Sequence, residues 1–161
     1  MSEEMISKVR DILESTPLHI ITSLMSSGSL TSQPMTHQAT EADPVGALHY
    51  IVAKQSTLVD NIESGNRQLN IAVRSSEGFL SLSGTASLSY NTAELKEWWT
   101  DGIDSWFDGG PESGVAALLT VTPESAQYWT SETKLEAVVD VVKAKVTGKR
   151  PQGGSSESLN L

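Results

Sequence analysis

Residues 18–38 read LHIITSLMSSGSLTSQPMTHQ and carry the pattern that decides the predicted fold. Two runs of apolar and β-branched residues flank the sequence SSG at 26–28, and short glycine-containing links of this kind close β-hairpins. The second run passes through Gln33 in the sequence QPM at 33–35. We therefore predict an antiparallel hairpin here, and we ask whether Gln33 contacts a ligand or only fills a strand.

The remaining sequence extends this hairpin into a larger sheet. Periodicity predicts helices over 3–15 and 135–146, a short helix capped by Ser56 that stops at Gly65, and a helix from Asn91 through Trp98 and Trp99. Further strand-like runs lie at 47–53, 68–74, 79–90, 116–122 and 126–130, the last two forming a closing hairpin split at Pro123-Glu124, with a bulge or bend at Gly84. The chain is thus mainly β, a closed or nearly closed antiparallel barrel with flanking helices.

Length and composition predict one soluble globular domain. The chain has 161 residues, 38% of them hydrophobic and 19% charged, which is typical of a folded protein. We place this domain at residues 1–147 and expect the polar tail at 148–161 to be disordered.

Charge and motif content exclude several function classes. A net charge of -9 disfavours nucleic acid as a partner, because that affinity depends on Lys and Arg. The absence of cysteine excludes disulfides and thiolate chemistry. No apolar run is long enough to span a membrane, and the amino terminus does not read as a secretory signal, so we expect a cytoplasmic protein.

An ordered series of short motifs resembles a known family. The motifs are SQPM at 32–35, SGTA at 83–86, WFDGG at 106–110, LLTVTP at 118–123 and YW at 128–129. Over residues 5–147 the chain is similar to the general-stress-protein branch of the pyridoxamine-5′-phosphate-oxidase-like, FMN-binding split barrels. The resemblance implies a split β-barrel homodimer that holds FMN in two equivalent grooves at the subunit interface. It fixes no substrate.

The chain departs from the family pattern at the end where relatives hold the flavin phosphate. Gln33 stands where relatives have an arginine, Val52 where they have a threonine, and Leu58 where they have a lysine. Losing two cationic hydrogen bonds would weaken FMN binding by about 3 to 6 kcal/mol, on the order of a hundredfold to ten-thousandfold.

Other groups near the predicted phosphate end of the site could compensate for the lost cations. The helix start at Ser56 and Thr57 offers hydroxyl and backbone N–H groups, and the cations Lys54, Arg67 and Arg74 are further candidates.

The resemblance also assigns the candidate site. Met35 is either beside the flavin ring or a core residue, and Trp106, with Phe107, is either a wall over the neighbouring subunit's flavin or an interface anchor. The predicted cofactor contacts are Gln33, Pro34, Met35, Tyr50, Ile51, Val52, Ser56, Thr57, Leu58 and Trp106.

Two function classes remain open at this point. One is an FMN-binding general-stress-type protein with an oxidoreductase role, in which the flavin carries the redox chemistry. The other is a diverged barrel that has lost tight FMN binding and serves as a non-enzymatic ligand-binding or interaction protein, with a purely structural dimer as a third alternative. No residue stands out as a catalytic acid or base, and His37 and His49, diagonal in a predicted hairpin, do not amount to a metal site.

Overall fold

Seven strands and four helices form the part of the chain that this computed structural model describes, residues 3–40, 45–130 and 156–161. In chain order they are α1 (Glu3–Glu14), β1 (Leu18–Leu24), β2 (Leu30–Thr40), β3 (Leu48–Ala53), α2 (Thr57–Glu63), β4 (Gln68–Ser75), β5 (Gly78–Ser89), α3 (Thr92–Trp98), α4 (Asp101–Asp104), β6 (Ala116–Thr130) and β7 (Ser156–Asn160).

The strands form a closed antiparallel barrel. They hydrogen-bond in the order β3-β2-β1-β4-β5-β6-β7, and β6 returns to pair with β3, so six strands close the barrel while β7 adds to β6 outside the ring. The β1–β2 hairpin turns at 25–29, where the Met25 N–H donates to the Ser29 carbonyl at 2.8 Å. The predicted split-barrel architecture is confirmed.

The main core fills the barrel, and two helices cover its ends. Alternate residues of β1 point inward, including Ile21, which is fully buried. At one end of β1 the buried His19 contacts the backbone of α1, and at the other end Ser23 accepts a hydrogen bond from Asn61 of α2 at 2.9 Å. The two helices therefore close opposite ends of the barrel.

A second, smaller core lies outside the barrel wall. Strand β3 is buried on both faces, with Tyr50 in the main core and Ile51 in the second cluster. Leu95 of α3 and Ile103 of α4 pack against Ile51, and Trp98 flanks them. Helices α3 and α4 thus fix the start of the loop that follows them.

Local signals placed most element ends where the structure has them. The Ser56 side chain accepts from the Val59 N–H, and the Asn91 side chain accepts from the N–H groups of Ala93 and Glu94. The predicted bulge at Gly84 is also present, as a register shift between β5 and β6. These side-chain caps bond to backbone two or three residues away, which is why sequence alone could find them.

The predicted hairpin at Pro123-Glu124 is wrong. Residues 116–130 form one continuous strand, β6, which pairs with β5 on both sides of the register shift. Gly84 pairs with Pro123 and Ser83 with Ser125, so Glu124 is the extra residue of a β-bulge. Proline is tolerated at such a position because a bulge leaves one backbone N–H out of the ladder.

Part of the predicted disordered tail is also corrected. Residues 156–160 form β7, whose Leu159 is buried in the main core and whose neighbour Leu161 donates its N–H to the Glu124 carbonyl at 2.9 Å. The bulge residue Glu124 therefore provides the backbone carbonyl that accepts this hydrogen bond from Leu161. The helix predicted over 135–146 lies outside the described residues, and so does the rest of the predicted tail up to residue 155.

A buried polar network joins β1, β3 and α1. The His19 Nε2–H donates to the Leu13 carbonyl at 3.0 Å, and in the neutral ring Nδ1 accepts from the Tyr50 hydroxyl at 2.8 Å. The His37 ring stacks on His19 at 4.7 Å. Burial lowers the pKa of His19 below 6.5, and hydrogen bonds to the backbone of Leu13 and Thr16 offset this only in part.

We expect Leu159→Ala to lower the free energy of unfolding by about 2 kcal/mol or more, because a buried leucine truncated to alanine leaves a cavity. Urea unfolding followed by tryptophan fluorescence measures the change. The exposed neighbour Ser158→Ala is the matched control. Equal midpoints for the two variants would show that β7 does not pack on the barrel.

We expect the free energy of unfolding to fall as the pH drops below about 6.5, by up to about 1.4 kcal/mol per pH unit. The unfolded chain protonates His19 near its ordinary pKa, whereas the folded chain does so only at lower pH. The stabilising contribution is therefore complete above the unfolded pKa and is lost as the pH falls towards the lowered folded pKa.

Urea unfolding between about pH 7.5 and about pH 5 measures this slope. His19→Gln should flatten it, whereas Tyr50→Phe, which removes only the hydroxyl, should lower stability and keep the slope. An unchanged slope in His19→Gln would contradict the assignment of this pH dependence to His19.

Candidate functional site

The link between β3 and α2 forms the centre of the candidate site. β3 ends at Ala53, and the Lys54 N–H donates to the Val115 carbonyl at 2.8 Å, which ties the link to the segment before β6. The Ser56 Oγ then caps α2 by accepting the Val59 N–H at 3.3 Å. Lys54 and Gln55 are thereby held as a ridge, with a recess on each side.

The first recess is aromatic and has a volume of about 520 Å³. Trp106, Phe107 and Val115 supply apolar surface to this recess. Trp106 is 81% exposed, which is unusual for the largest apolar side chain. This recess can take a flat, apolar ring.

The loop that carries Trp106 is anchored by contacts with Trp99 and with the end of α4. The Trp99 Nε1–H donates to the Asp104 carboxylate at 2.6 Å, and the Phe107 ring packs on Trp99 at 5.8 Å between centroids. The Trp106 N–H donates to the Ile103 carbonyl at 2.9 Å, at the end of α4. Packing therefore holds Phe107 inward and leaves Trp106 facing outward.

The second recess is polar and has a volume of about 600 Å³. It shares Lys54 and Gln55 with the first recess, and its remaining lining residues are Ser56, Thr57, Asp60 and Glu63. Hydroxyl and amide groups of this kind can hydrogen-bond a polyhydroxylated chain.

Two charged groups of the polar recess, Lys54 and Glu63, both contact Tyr90. The Lys54 ammonium lies 5.0 Å from the centroid of the Tyr90 ring, and the Tyr90 hydroxyl donates to Glu63. Desolvation, the Glu63 carboxylate and the charge of Asp60 together raise the pKa of Tyr90 to about 12. Tyr90 therefore links the cation to a carboxylate.

Of the three cations that the sequence offered as replacements, Lys54 alone lines a recess. The Arg67 Nε–H donates to the Ala86 carbonyl at 2.9 Å, and the Arg74 guanidinium lies over the Phe79 ring at 5.9 Å. Both arginines are thus engaged elsewhere.

The predicted contacts on β2 do not line either recess. Gln33 and Met35 pair with Ile21 and His19, so they share the inner face, where each is half-buried. Pro34 pairs with Ile20 on the outer face and is exposed. Met35 packs against the main core, in agreement with the simpler of its two interpretations.

Four other predicted contacts have buried side chains. Tyr50, Val52 and Leu58 lie in the main core and Ile51 lies in the second cluster, each at most 7% exposed. In this chain they can offer a ligand their backbone groups alone. Ser56, Thr57 and Trp106 are the predicted residues that line the recesses.

The histidines do not form a metal site in the described chain. His37 stacks on His19, whereas His49 stacks on Trp98 at 3.9 Å and contacts Thr120, so the hypothesised diagonal pair points to two different clusters. Within residues 3–40, 45–130 and 156–161, no three His, Asp or Glu side chains are grouped to hold an ion.

An exposed apolar face lies on the outer side of the β1–β2 hairpin. Leu18, Ile20 and Leu24 alternate along β1 with exposed fractions of 54%, 39% and 39%. Leu30, paired with Leu24, is 71% exposed, and Pro34 lies on the same face. We name these five residues the hairpin face. An apolar sheet surface of this kind is typical of an interface.

Sequence reasoning missed several residues of the site. Gln55 and Val115 line recesses, and Asp60 and Glu63 add two carboxylates. Asp60 and Glu63 are three residues apart on α2 and so share a helix face, a spacing that the sequence did display. Val115 carried no local signal, because a backbone pairing distant in sequence places it.

A membrane-spanning segment is not found among the described helices, none of which is long and apolar enough.

Comparisons with known proteins agree on one relationship. A family model described as pyridoxamine 5′-phosphate oxidase like matches residues 4–152. Protein bli-3 of Neurospora crassa is 31% identical over 133 residues, which cover 76% of this chain and 63% of that protein. The chain therefore spans less than two thirds of the length of this curated relative.

Solved structures show the same fold. A structure from Jannaschia sp. CCS1, named for general stress protein 26, is 26% identical with a TM-score of 0.74, covering 99% of this chain and 100% of that one. The general stress FMN/FAD binding protein of Xanthomonas citri is 23% identical with a TM-score of 0.67, covering 81% and 92%. The second likeness shows the fold alone.

Proposed function

This chain belongs to the pyridoxamine 5′-phosphate oxidase like family, and we propose on that premise that it is a general-stress-type protein that binds a flavin. FMN is the flavin that the sequence resemblance implies. The observation that carries the proposal is the double groove, in which an aromatic recess and a polar recess meet at Lys54 and Gln55. A flavin has the same two parts, a flat ring and a polar side chain.

The residues present fit the ring of a flavin. Trp106 offers an exposed aromatic surface, and Phe107 and Val115 supply apolar area beside it. Offset stacking on an aromatic ring contributes roughly 0.5–1.5 kcal/mol beyond the area buried. The ring would therefore be held in the aromatic recess.

The polar recess fits the ribityl chain. Gln55, Ser56 and Thr57 carry neutral donors and acceptors that suit its hydroxyl groups. Ser56 accepts the Val59 N–H and keeps its own O–H for donation. Tyr50, Ile51, Val52 and Leu58 would contribute backbone contacts at most, since their side chains are buried.

The proposal extends to redox chemistry. A bound flavin supplies electron transfer through its own ring, while the protein orients the ring and limits access of water. In this chain Trp106 and the ridge at Lys54 and Gln55 would do both. A flavin-dependent oxidoreductase role of the pyridoxamine 5′-phosphate oxidase-like kind follows as the enzymatic form of the proposal.

A homodimer built on the hairpin face is the second part of the proposal. The five residues of that face leave apolar surface in water, and a second copy would cover it. Gln33, Pro34 and Met35 stay proposed flavin contacts on the family resemblance alone, since Pro34 lies on the hairpin face and the other two lie on the opposite, inner face of β2.

Trp106→Ala should weaken flavin binding at least about tenfold, since lost stacking and lost apolar contact together reach about 1.4 kcal/mol. Quenching of flavin fluorescence on titration with protein measures binding, and visible absorbance of the purified protein shows retained flavin. Phe79→Ala removes another exposed aromatic ring, 46% exposed against 81% for Trp106, that lies outside the groove, and it is the control.

No saturable quenching by the wild-type protein would refute flavin binding. Equal losses in the Trp106 and Phe79 variants would place the ring outside the aromatic recess.

Leu30→Glu should convert a dimer into a folded monomer, because the new carboxylate would be buried against apolar residues of a second copy. Light scattering gives the mass, and circular dichroism checks the fold. Ser7→Glu adds the same charge to an exposed site on α1 and should leave the dimer intact. A wild-type monomer would contradict the proposed interface.

A further inference from the structure

We propose that the groove selects a flavin without a phosphate group, so that riboflavin binds at least as tightly as FMN. This inference rests on the proposed function, because it concerns the polar recess of the same groove. The charges of that recess are the basis on which we infer a flavin that lacks a phosphate.

The polar recess carries a net negative charge. Its charged lining residues are one cation, Lys54, and two carboxylates, Asp60 and Glu63. Both carboxylates belong to α2 and lie one turn apart, so they face the recess together. A phosphate dianion placed there would meet two like charges for each opposite charge.

Lys54 is not available to offset this repulsion without losing a partner. Its ammonium lies over the Tyr90 ring, and the Tyr90 hydroxyl donates to Glu63. Moving Lys54 towards a phosphate would give up the cation–π contact. Arg67 and Arg74 bond elsewhere, and neither lines the recess.

The neutral groups of the recess favour the part that all flavins share. Gln55, Ser56 and Thr57 can exchange hydrogen bonds with ribityl hydroxyls, and these contacts carry no charge preference. Riboflavin would keep every one of them and avoid the repulsion. Its terminal hydroxyl can also donate to Asp60 or Glu63, which a phosphate dianion cannot do.

The test compares the two flavins on the full chain. Fluorescence titrations at low ionic strength give Kd for riboflavin and for FMN, and their ratio isolates the phosphate group from the ring. We expect Kd for FMN to equal or exceed Kd for riboflavin. The double variant Asp60→Asn/Glu63→Gln should lower the ratio of the FMN Kd to the riboflavin Kd at least threefold, because both side chains keep their shape and lose their charge.

A matched control separates the recess from overall charge. Asp11→Asn/Glu14→Gln removes the same two charges from exposed positions on α1 and should leave the ratio unchanged. Thermal melts of both double variants confirm that they fold.

The possible outcomes separate failure of this inference from failure of the proposed function. Tighter binding of FMN than of riboflavin by the wild-type protein would overturn the inference and leave flavin binding intact. An unchanged ratio in the α2 double variant, or an equal change in the α1 control, would also overturn it. Failure of both flavins to bind would overturn the proposed function, and the inference with it.

Discussion

Closure of the barrel depends on the close approach of two backbones at Gly84. A Cβ atom at this position would lie 2.4 Å from the Thr122 carbonyl oxygen, so a larger residue would push β5 and β6 apart. Because Gly84 permits the contact, β6 pairs with β5 on both sides of the bulge at Glu124. The first half of β6 is then free to pair with β3, and the second half to pair with β7. The segment before β6, with Val115, is thereby fixed against Lys54.

The sequence predicted the features of the fold that depend on near neighbours. The first hairpin, the caps at Ser56 and Asn91 and the bulge at Gly84 follow from turn and capping chemistry within a few residues. The errors concern features that depend on residues distant in sequence. Pro123 looked like a turn because the bulge that accommodates it is set by Gly84 on another strand. Residues 156–160 looked disordered because their polar sequence gains its order from an edge of β6.

The candidate site was predicted in outline, and the burial of its members was not. The family resemblance predicts Trp106 and Ser56 as cofactor contacts, and both line the groove. The same resemblance predicts Tyr50 and Leu58, yet the Tyr50 hydroxyl bonds to His19 inside the barrel and Leu58 is buried in the core. A motif gives the position of a residue in the chain, whereas exposure depends on what packs over the strand. Here α3 and α4 cover the outer side of β3, so both of its faces are buried.

The charged residues of the polar recess form one electrostatic environment. Among the charged lining residues of the polar recess, Asp60 and Glu63 repel a phosphate, and Lys54 is the cation that attracts it. The contacts of Tyr90 with Lys54 and Glu63 hold these charges in place before any ligand arrives. A recess organised in this way needs no rearrangement to accept hydroxyl groups, whereas a phosphate would have to break existing contacts to gain a cation. Trp106 and Phe107, which supply apolar surface to the aromatic recess, carry no charge, although that recess shares Lys54 with the polar one. A flat ring in the aromatic recess would therefore be held mainly by apolar contact, whereas a group in the polar recess would be selected by the balance of these charges.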